Sequence, residues 1–275
     1  MTVKKEFEQP SIENDTMSSK LFTTTNQLFA ANQKLQEMQR QRGEMLANIS
    51  HDLRAPITAI RSAVDYLTSG QNLTPEDYRT SLMLIDRRTA TLESLIQDMY
   101  YLFCVEDASR PLERQTIDAA QFLEEYYYDA LADSRYSRHQ LLLDIPEDLN
   151  GKITVDIQKI VRVLDNLLGN AVKYSPAGSR ILLTAARSAE SSCLTVSVRD
   201  NGPGIPQEAL EHLFERTYTG SPARTPGSAT GNGLGLSIVK AIVERHQGQV
   251  SCESIEGKGS CFTFTLPFEA CGFLR

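Results

Sequence analysis

His51 is followed by Asp52 and, five residues on, by Pro56, in the run Asn48-Ile49-Ser50-His51-Asp52-Leu53-Arg54-Ala55-Pro56-Ile57-Thr58-Ala59-Ile60. Ile49, Leu53, Ile57 and Ile60 recur at intervals of four, four and three, which predicts a helix with one apolar stripe. His51 lies off that stripe and is expected to face outward. Pro56 offers no N–H to the carbonyl of Asp52, so a kink or loosened turn is expected beside an exposed imidazole. Further on, Asn166, Asn170 and Lys173 stand at i, i+4 and i+7 of an otherwise apolar helical pattern. Three polar groups on one face of such a helix are costly to bury without a ligand. An Asn amide oxygen suits a hard cation such as Mg2+, and a Lys suits phosphate. Asp200-Asn201-Gly202-Pro203-Gly204-Ile205 follows a predicted strand. A carboxylate at a strand end can accept a hydrogen bond from the exocyclic amine of adenine, and the glycines let backbone come close to a base. Gly231-Asn232-Gly233-Leu234-Gly235-Leu236 then opens a helix, and N–H groups at such a start favour phosphate. A dinucleotide fold of the βαβ type does not fit, because no strand directly precedes these glycines and no βαβ unit follows.

The elements that must position these residues start with a polar stretch, residues 1–19, expected to lack regular structure. A long helix is expected from about Lys20. Leu21, Leu28, Leu35 and Ile49 share one heptad position and Ala31, Met38 and Met45 the other, a pattern interrupted at Arg42 and Gly43. Residues 1–40 therefore read as a polar start leading into a two-stranded coiled coil. The helix is expected to close near Ser69-Gly70. Thr74-Pro75-Glu76-Asp77 begins a second helix, with a capping Thr, a proline in the first turn and two acids at the positive end of the dipole. Leu82, Ile85, Leu92, Ile96, Met99 and Leu102 form its apolar side. Two long helices joined by a short turn make a hairpin whose apolar face is too large to leave wet. Pairing two copies into a four-helix bundle buries it, which predicts a homodimer. Residues 106–114 read as a linker. Beyond them, helices are expected at 122–131, 157–173 and 236–246, and strands at 140–145, 152–155, 180–186, 194–199, 249–254 and 260–266. The fold class is α+β, with helices on one face of a mixed sheet.

Composition narrows the function classes. At 275 residues about two domains are expected, and 41% hydrophobic content supplies a sizeable core. A formal net charge of −7 excludes a general nucleic-acid or anionic-membrane binder, since both want a basic face. No uncharged apolar run approaches the ~20 residues of a membrane helix, and residues 1–20 do not read as a signal peptide. Cys104, Cys193, Cys252, Cys261 and Cys271 are scattered without a Cys-x-x-Cys, which fits a reducing cytosol and gives no zinc site. Cys252 and Cys261 have the spacing to face each other across a hairpin, although reduced core thiols are the preferred reading. A cytoplasmic protein, or the cytoplasmic part of a membrane receptor, is expected.

Ser50-His51-Asp52-Leu53-Arg54-Ala55-Pro56-Ile57 resembles the phosphoacceptor box of sensor histidine kinases, usually Ser-His-Glu-Leu-Arg-Thr-Pro-Leu. The Asn166–Tyr174, Asp200–Gly204, Leu213–Thr219 and Gly231–Leu236 segments resemble, in that order, the N, G1, F and G2 boxes of the ATP-binding domain of the same family. Five ordered boxes cover roughly residues 40–268. The resemblance implies a dimerisation and phosphotransfer domain over 41–107 and an ATP-binding α/β sandwich of Bergerat type over 112–270. It implies that His51 takes the γ-phosphoryl group of ATP and passes it to an aspartate of a response regulator. Asp52 would hold the other ring nitrogen and stabilise the cation that forms. The implied nucleotide contacts are Asp200 on adenine, with Gly202 and Gly204 beside it, and Asn170 on Mg2+. Asn166, Lys173 and Tyr174 lie next to the nucleotide, and Gly231, Gly233, Leu234 and Gly235 at the phosphates.

The chain departs from the family pattern in two places. Leu213-Phe214-Glu215-Arg216-Thr217-Tyr218-Thr219 lacks the second Phe and the final Arg of the usual Phe-Glu-Arg-Phe-Tyr-Arg; Arg216 or Arg224 would have to replace that Arg. The segment Tyr218–Asn232, rich in Gly, Pro, Ser and Thr, reads as a lid. Ala55 stands four residues after His51, where phosphatase-competent relatives carry Thr or Asn, so a kinase-biased enzyme is expected. An ATPase of the gyrase or Hsp90 kind needs a Glu four residues before the Mg2+-binding Asn; Asn166 stands there, removing a general base. A degenerate, nucleotide-binding dimeric scaffold is the other reading, motivated by the altered F box. His139, His212 and His246 read as structural, with His246 at a helix C-terminus that mildly favours a cation.

Overall fold

The computed structural model describes residues 10–69, 72–107, 109–188, 192–215 and 234–270. The chain divides into two compact units, Met1–Arg54 and Ala55–Arg275.

The first unit is helical. Helix α1 spans Pro10–Leu67 and runs through Pro56 as one element, so its first part belongs to this unit. It begins ten residues ahead of the expected start. Proline suits a first helical turn, where its missing N–H has no partner to lose, and the polar residues after it are mostly compatible with helix. The heptad leucines Leu28 and Leu35 are 66% and 55% exposed in the single chain, as seam residues awaiting a second helix would be.

In the second unit, the end of α1 is followed by helix α2, Pro75–Glu106. Its start is a capping box: Thr74 Oγ1 accepts from the Asp77 N–H at 3.2 Å, and the Thr74 N–H donates to Asp77 Oδ2 at 2.9 Å. Ala63, Leu95, Leu102 and Val105 are buried, yet Ile57, Val64, Leu82 and Ile96 remain between 42% and 58% exposed. The apolar face of the hairpin is thus only partly covered within one chain.

The rest of the unit is a two-layer α/β domain. Strand β1 (Gln115–Asp118) leads into α3 (Ala119–Ala132) and a 3-10 turn (Ser134–Tyr136). Strands β2 (Gln140–Asp144) and β3 (Gly151–Val155) precede α4 (Ile157–Tyr174). Then come β4 (Arg180–Arg187), β5 (Cys193–Asp200), the short α5 (Gln207–Leu210) and α6 (Gly235–Arg245). Strands β6 (Val250–Ile255), β7 (Gly259–Pro267) and β8 (Glu269–Ala270) close the described chain. The main sheet has the order β2-β4-β5-β7-β6, with β2–β4 parallel and the remaining pairs antiparallel. A second, three-stranded sheet has the order β1-β3-β8. Strands β1 and β8 carry too few residues to show an alternation; long-range pairing alone makes them strands.

Alternation explains the main layer. Ile181, Leu183 and Ala185 of β4, Leu194, Val196 and Val198 of β5, and Phe262, Phe264 and Leu266 of β7 are all buried on one face. Against it lie Ile160, Val163, Leu164, Leu167, Leu168 and Ala171 of α4 and Ile238, Val239, Ile242 and Val243 of α6. In β6–β7 the register pairs Cys252 with Phe262 and Glu253 with Cys261. A one-residue offset sends two side chains to opposite faces, so the two cysteines do not face each other; both are free thiols. Burial pushes the Cys252 thiol up to about 12.

The end of α2 is fastened to this layer. Arg245 Nη1 donates to the Val105 carbonyl at 2.9 Å, and the Arg162 guanidinium pairs with buried Asp98. Beside that contact His246 is 3% exposed; its Nε2 accepts from the Asp156 N–H at 3.0 Å and its Nδ1–H donates to the Ile242 carbonyl at 2.8 Å. The sequence reads this histidine as structural, at a helix end that mildly favours a cation. Instead burial, with Arg114 and Lys159 nearby, holds this imidazole below its usual pKa, against the opposing pull of Asp156 and the Ile242 carbonyl. A group whose charged form is disfavoured by folding binds more protons when unfolded, so stability rises with pH. The urea midpoint of the wild type is expected to hold above about pH 6.5 and to fall as pH drops below it. His246→Gln is expected to remove that part of the acid limb; identical limbs for the two proteins would refute the assignment.

Candidate functional site

Asp156 caps α4, its Oδ1 accepting from the Lys159 N–H at 3.3 Å. The helix then presents Asn166, Asn170 and Lys173 on a half-open face while its apolar stripe of Ile160, Val163, Leu164, Leu167, Leu168 and Ala171 enters the core. Asn166 is half-buried, and its Nδ2 is buried with no hydrogen-bond partner among the described residues. A Cβ built on Gly235 would lie 3.4 Å from Asn166 Oδ1, so the first residue of α6 stands against this face. Among the described residues no side chain caps the start of α6. An orphaned amide donor beside an uncapped helix N-terminus is an arrangement that an anionic oxygen can satisfy from both sides. Lys173 is exposed at the other end of the face, its Nζ 3.3 Å from the Tyr174 hydroxyl and 4.8 Å from the centre of that ring.

Asp200 closes strand β5 and is 8% exposed. Its Oδ1 accepts from the Gly202 N–H at 2.8 Å, and the Ser175 hydroxyl lies 3.5 Å away. Burial pushes its carboxyl above the ordinary range, opposed by the donors of Gly202, Ser260 and Ser175. A Cβ at Gly202 would come within 2.9 Å of Asp200 Oδ1 and 3.1 Å of Ser175 Oγ. Gly204 has φ +73°, and a Cβ there would come within 2.2 Å of the Ile255 carbonyl oxygen. These two glycines are therefore required by close approach inside the fold, where the sequence suggested approach to a base.

Leu234 is 1% exposed, a core side chain; only its backbone faces the start of α6. Gly231 and Gly233 lie outside the described residues, as do Arg216, Arg224 and the expected lid. In the first unit, the His51 side chain is 56% exposed and that of Asp52 18%, with His51 Nδ1 3.5 Å from Asp52 Oδ1. The sequence did not single out Ser175 or the β6–β7 turn as supports of Asp200; an ordinary Ser and an ordinary Gly-x-Gly turn carry no local signal. Of the other histidines, His139 Nε2 approaches the Ser175 carbonyl at 3.4 Å, and exposed His212 pairs with Glu215 at 2.8 Å.

Residues 41–107 match the His Kinase A (phospho-acceptor) domain, and residues 155–270 match the histidine kinase-, DNA gyrase B-, and HSP90-like ATPase domain. The chain belongs to the histidine kinases. As a histidine kinase it is 33% identical over 234 residues to the sensor histidine kinase WalK of Bacillus subtilis (strain 168). It is 32% identical over 241 residues to the sensor protein kinase WalK of Staphylococcus haemolyticus (strain JCSC1435). Each alignment takes in 85% of this chain and 38% of the relative, so the chain spans well under half the length of these proteins. Among solved structures it is similar to the histidine kinase ThkA in complex with the response regulator protein TrrA. That similarity has TM-score 0.64 and 26% identity over 85% of this chain and 66% of that one. It is also similar to full-length ShkA in complex with AMPPNP, with TM-score 0.58 and 26% identity over 83% of this chain and 46% of that one.

Proposed function

We propose that this histidine kinase phosphorylates itself on His51 from ATP and passes the phosphoryl group to an aspartate of a response-regulator receiver domain. The observation that carries the nucleotide half is Asn166: its buried, orphaned Nδ2 stands beside the uncapped start of α6, where phosphate oxygens fit. Asp200 would accept from the adenine amine, with Gly202 and Gly204 shaping the wall. Lys173 and Tyr174 would flank the nucleotide, and the backbone around Gly231, Gly233, Leu234 and Gly235 would meet the phosphates. Asn170 would ligate Mg2+ through its amide oxygen, the cation neutralising charge that develops on the phosphates. At His51 the neutral imidazole is the nucleophile. Asp52 keeps the proton on Nδ1, leaving the Nε2 lone pair free. The Nε2–P bond forms as the bond from the γ-phosphorus to its bridging oxygen breaks, and ADP leaves with that electron pair. The Nδ1 proton, made acidic by the charge on the ring, then passes to Asp52 or to water.

The test is incubation with γ-labelled ATP and Mg2+, followed by a receiver domain. An acid-labile, alkali-stable label on the kinase that moves to the receiver is the expected result. Nucleotide binding without any label would instead support a scaffold, and steady ADP release without label an ATPase. The missing Glu at Asn166 counts against the latter.

The same proposal divides the chain into an N-terminal coiled coil (1–40), a phosphotransfer domain (41–107) and a catalytic domain (112–270). The exposed Leu28, Leu35, Leu82 and Ile96 support pairing of two copies through the first two parts. Light scattering at micromolar concentration is expected to give twice the chain mass, and a monomeric mass would overturn the dimer. No described helix is long and apolar enough to cross a membrane. Four described cysteines are free thiols, which supports a reducing, cytoplasmic setting for the reaction.

A kinase bias belongs to the same proposal. Ala55, four residues after His51 in the same helix, cannot hydrogen-bond a water against an aspartyl phosphate. Decay of isolated phospho-regulator in the presence of kinase and ADP is therefore expected to be slow, and faster with Ala55→Thr. Fast decay with the wild type, unchanged by Ala55→Thr, would show that another group positions the water.

A further inference from the structure

Two segments of the chain hold the Asp200 carboxylate. One is its own loop, through the Gly202 N–H on Oδ1 at 2.8 Å. The other is the end of α4, through the Ser175 hydroxyl, 3.5 Å from the same oxygen. Ser175 follows Tyr174 directly and is the C-cap of that helix. It is 8% exposed, and Asp200 is the one hydrogen-bond contact of its hydroxyl among the described residues.

The backbone sets the aim of this hydroxyl. The Ser175 N–H donates to the Ala171 carbonyl at 3.0 Å, and the Ser175 carbonyl lies 3.4 Å from His139 Nε2. With φ −91° and ψ 146° the residue is extended, so the helix end makes no demand on its side chain. Gly202 brings the loop within reach. A Cβ there would meet Ser175 Oγ at 3.1 Å and the Tyr174 carbonyl oxygen at 3.2 Å, besides Asp200 itself.

A donor on this carboxylate changes which base it can read. Ionised, Asp200 accepts from a 6-amino group and repels a 6-oxo group. Protonated, it would donate to a 6-oxo group. Burial draws the carboxyl toward the protonated form, and the donors of Gly202, Ser260 and Ser175 oppose that. Gly202 and Ser260 act through backbone N–H groups, which most residues would supply. Ser175 acts through its side chain, so its identity matters.

We propose, resting on the reading that Asp200 meets the adenine amine, that Ser175 is the positioning residue behind a preference for adenine over 6-oxopurines. Its hydroxyl and the Gly202 N–H together occupy Oδ1 and fix the plane of the carboxylate. Oδ2 is left to the base. Ser175 does not touch the nucleotide in this account; it acts through Asp200.

The test is calorimetric titration of the full chain, with Mg2+ and near neutral pH, using ADP and inosine diphosphate, which carries a 6-oxo group in place of the 6-amino group. The wild type is expected to bind ADP about 100-fold more tightly than inosine diphosphate. Ser175→Ala is expected to weaken ADP about tenfold and to leave inosine diphosphate within about twofold, narrowing the preference to about tenfold. Ser175→Cys is close to serine in size and a poor donor, so it is expected to match Ser175→Ala and to exclude a packing effect. Ser175→Thr keeps the hydroxyl and is expected to restore the wild-type preference. Equal losses for both nucleotides in Ser175→Ala would mark a purely structural role and overturn the proposal, as would an unchanged preference in the Ala and Cys variants. A wild type without preference for ADP would overturn the Asp200 reading, and this proposal with it.

Discussion

His51→Gln leaves the protein able to bind nucleotide and abolishes its acid-labile label. Glutamine keeps the length and polarity of the side chain and is at home in a helix, so α1 is not disturbed. The imidazole is more than half exposed, so its replacement opens no core cavity. What disappears is the only atom in the proposed reaction that can bond to phosphorus: an amide nitrogen has its lone pair delocalised into the carbonyl and is no nucleophile at neutral pH. The rate therefore falls to background and not by a modest factor. ADP binding measured on the same sample separates this from misfolding. Label persisting in His51→Gln would place the acceptor elsewhere and remove the basis of the proposed transfer. Asp52→Asn should have a smaller effect, since it weakens the 3.5 Å contact to Nδ1 and leaves the nucleophilic nitrogen in place.

Asp200→Asn is expected to weaken ATP and ADP binding by about 100-fold or more. A hydrogen bond from the adenine amine to a charged, desolvated acceptor contributes up to about 3 kcal/mol, and every 1.4 kcal/mol is tenfold in affinity. The substitution does more than remove charge. The amide oxygen would take the place of Oδ1, which already serves the Gly202 N–H at 2.8 Å. The amide NH2 would then meet the adenine NH2, donor against donor. Fold should survive, because the Gly202 contact is kept and a buried carboxyl held above its ordinary range loses a desolvation penalty when neutralised. Unchanged ADP affinity in Asp200→Asn, with an intact thermal transition, would show that the nucleobase is read elsewhere.

Much of this was legible locally. The stripe of α4, the alternation of β4, β5 and β7 and the capping box at Thr74 are patterns of period 3.6, 2 and 3, each contained in fewer than twenty residues. The polar face Asn166–Asn170–Lys173 was legible for the same reason: a helix places i and i+4 together whatever surrounds it. The order of the boxes along the chain carried the family, because their residue types follow from the chemistry of a nucleotide. Leu82 and Ile96 were legible as part of an apolar surface needing a partner, since a spacing of two heptads puts them on one helix face, and both are exposed in the single chain.

Only the tertiary structure decided the rest, and the reason is that burial and pairing are properties of residues far apart in sequence. Strands β1 and β8 exist because β3 lies between them. Cys252 and Cys261 point apart because the β6–β7 register is offset by one residue from direct pairing. His246, read only as a structural residue at a helix end, is a buried acceptor because the Asp156 N–H, ninety residues earlier, reaches its Nε2 inside the core. Gly204 is needed where the chain passes the Ile255 carbonyl, an approach no local pattern announces. Sequence determined which side chains could do chemistry and on which local face each would lie. Packing determined which of them lost water, and with it their charge state, their partners and the reach of each toward a ligand.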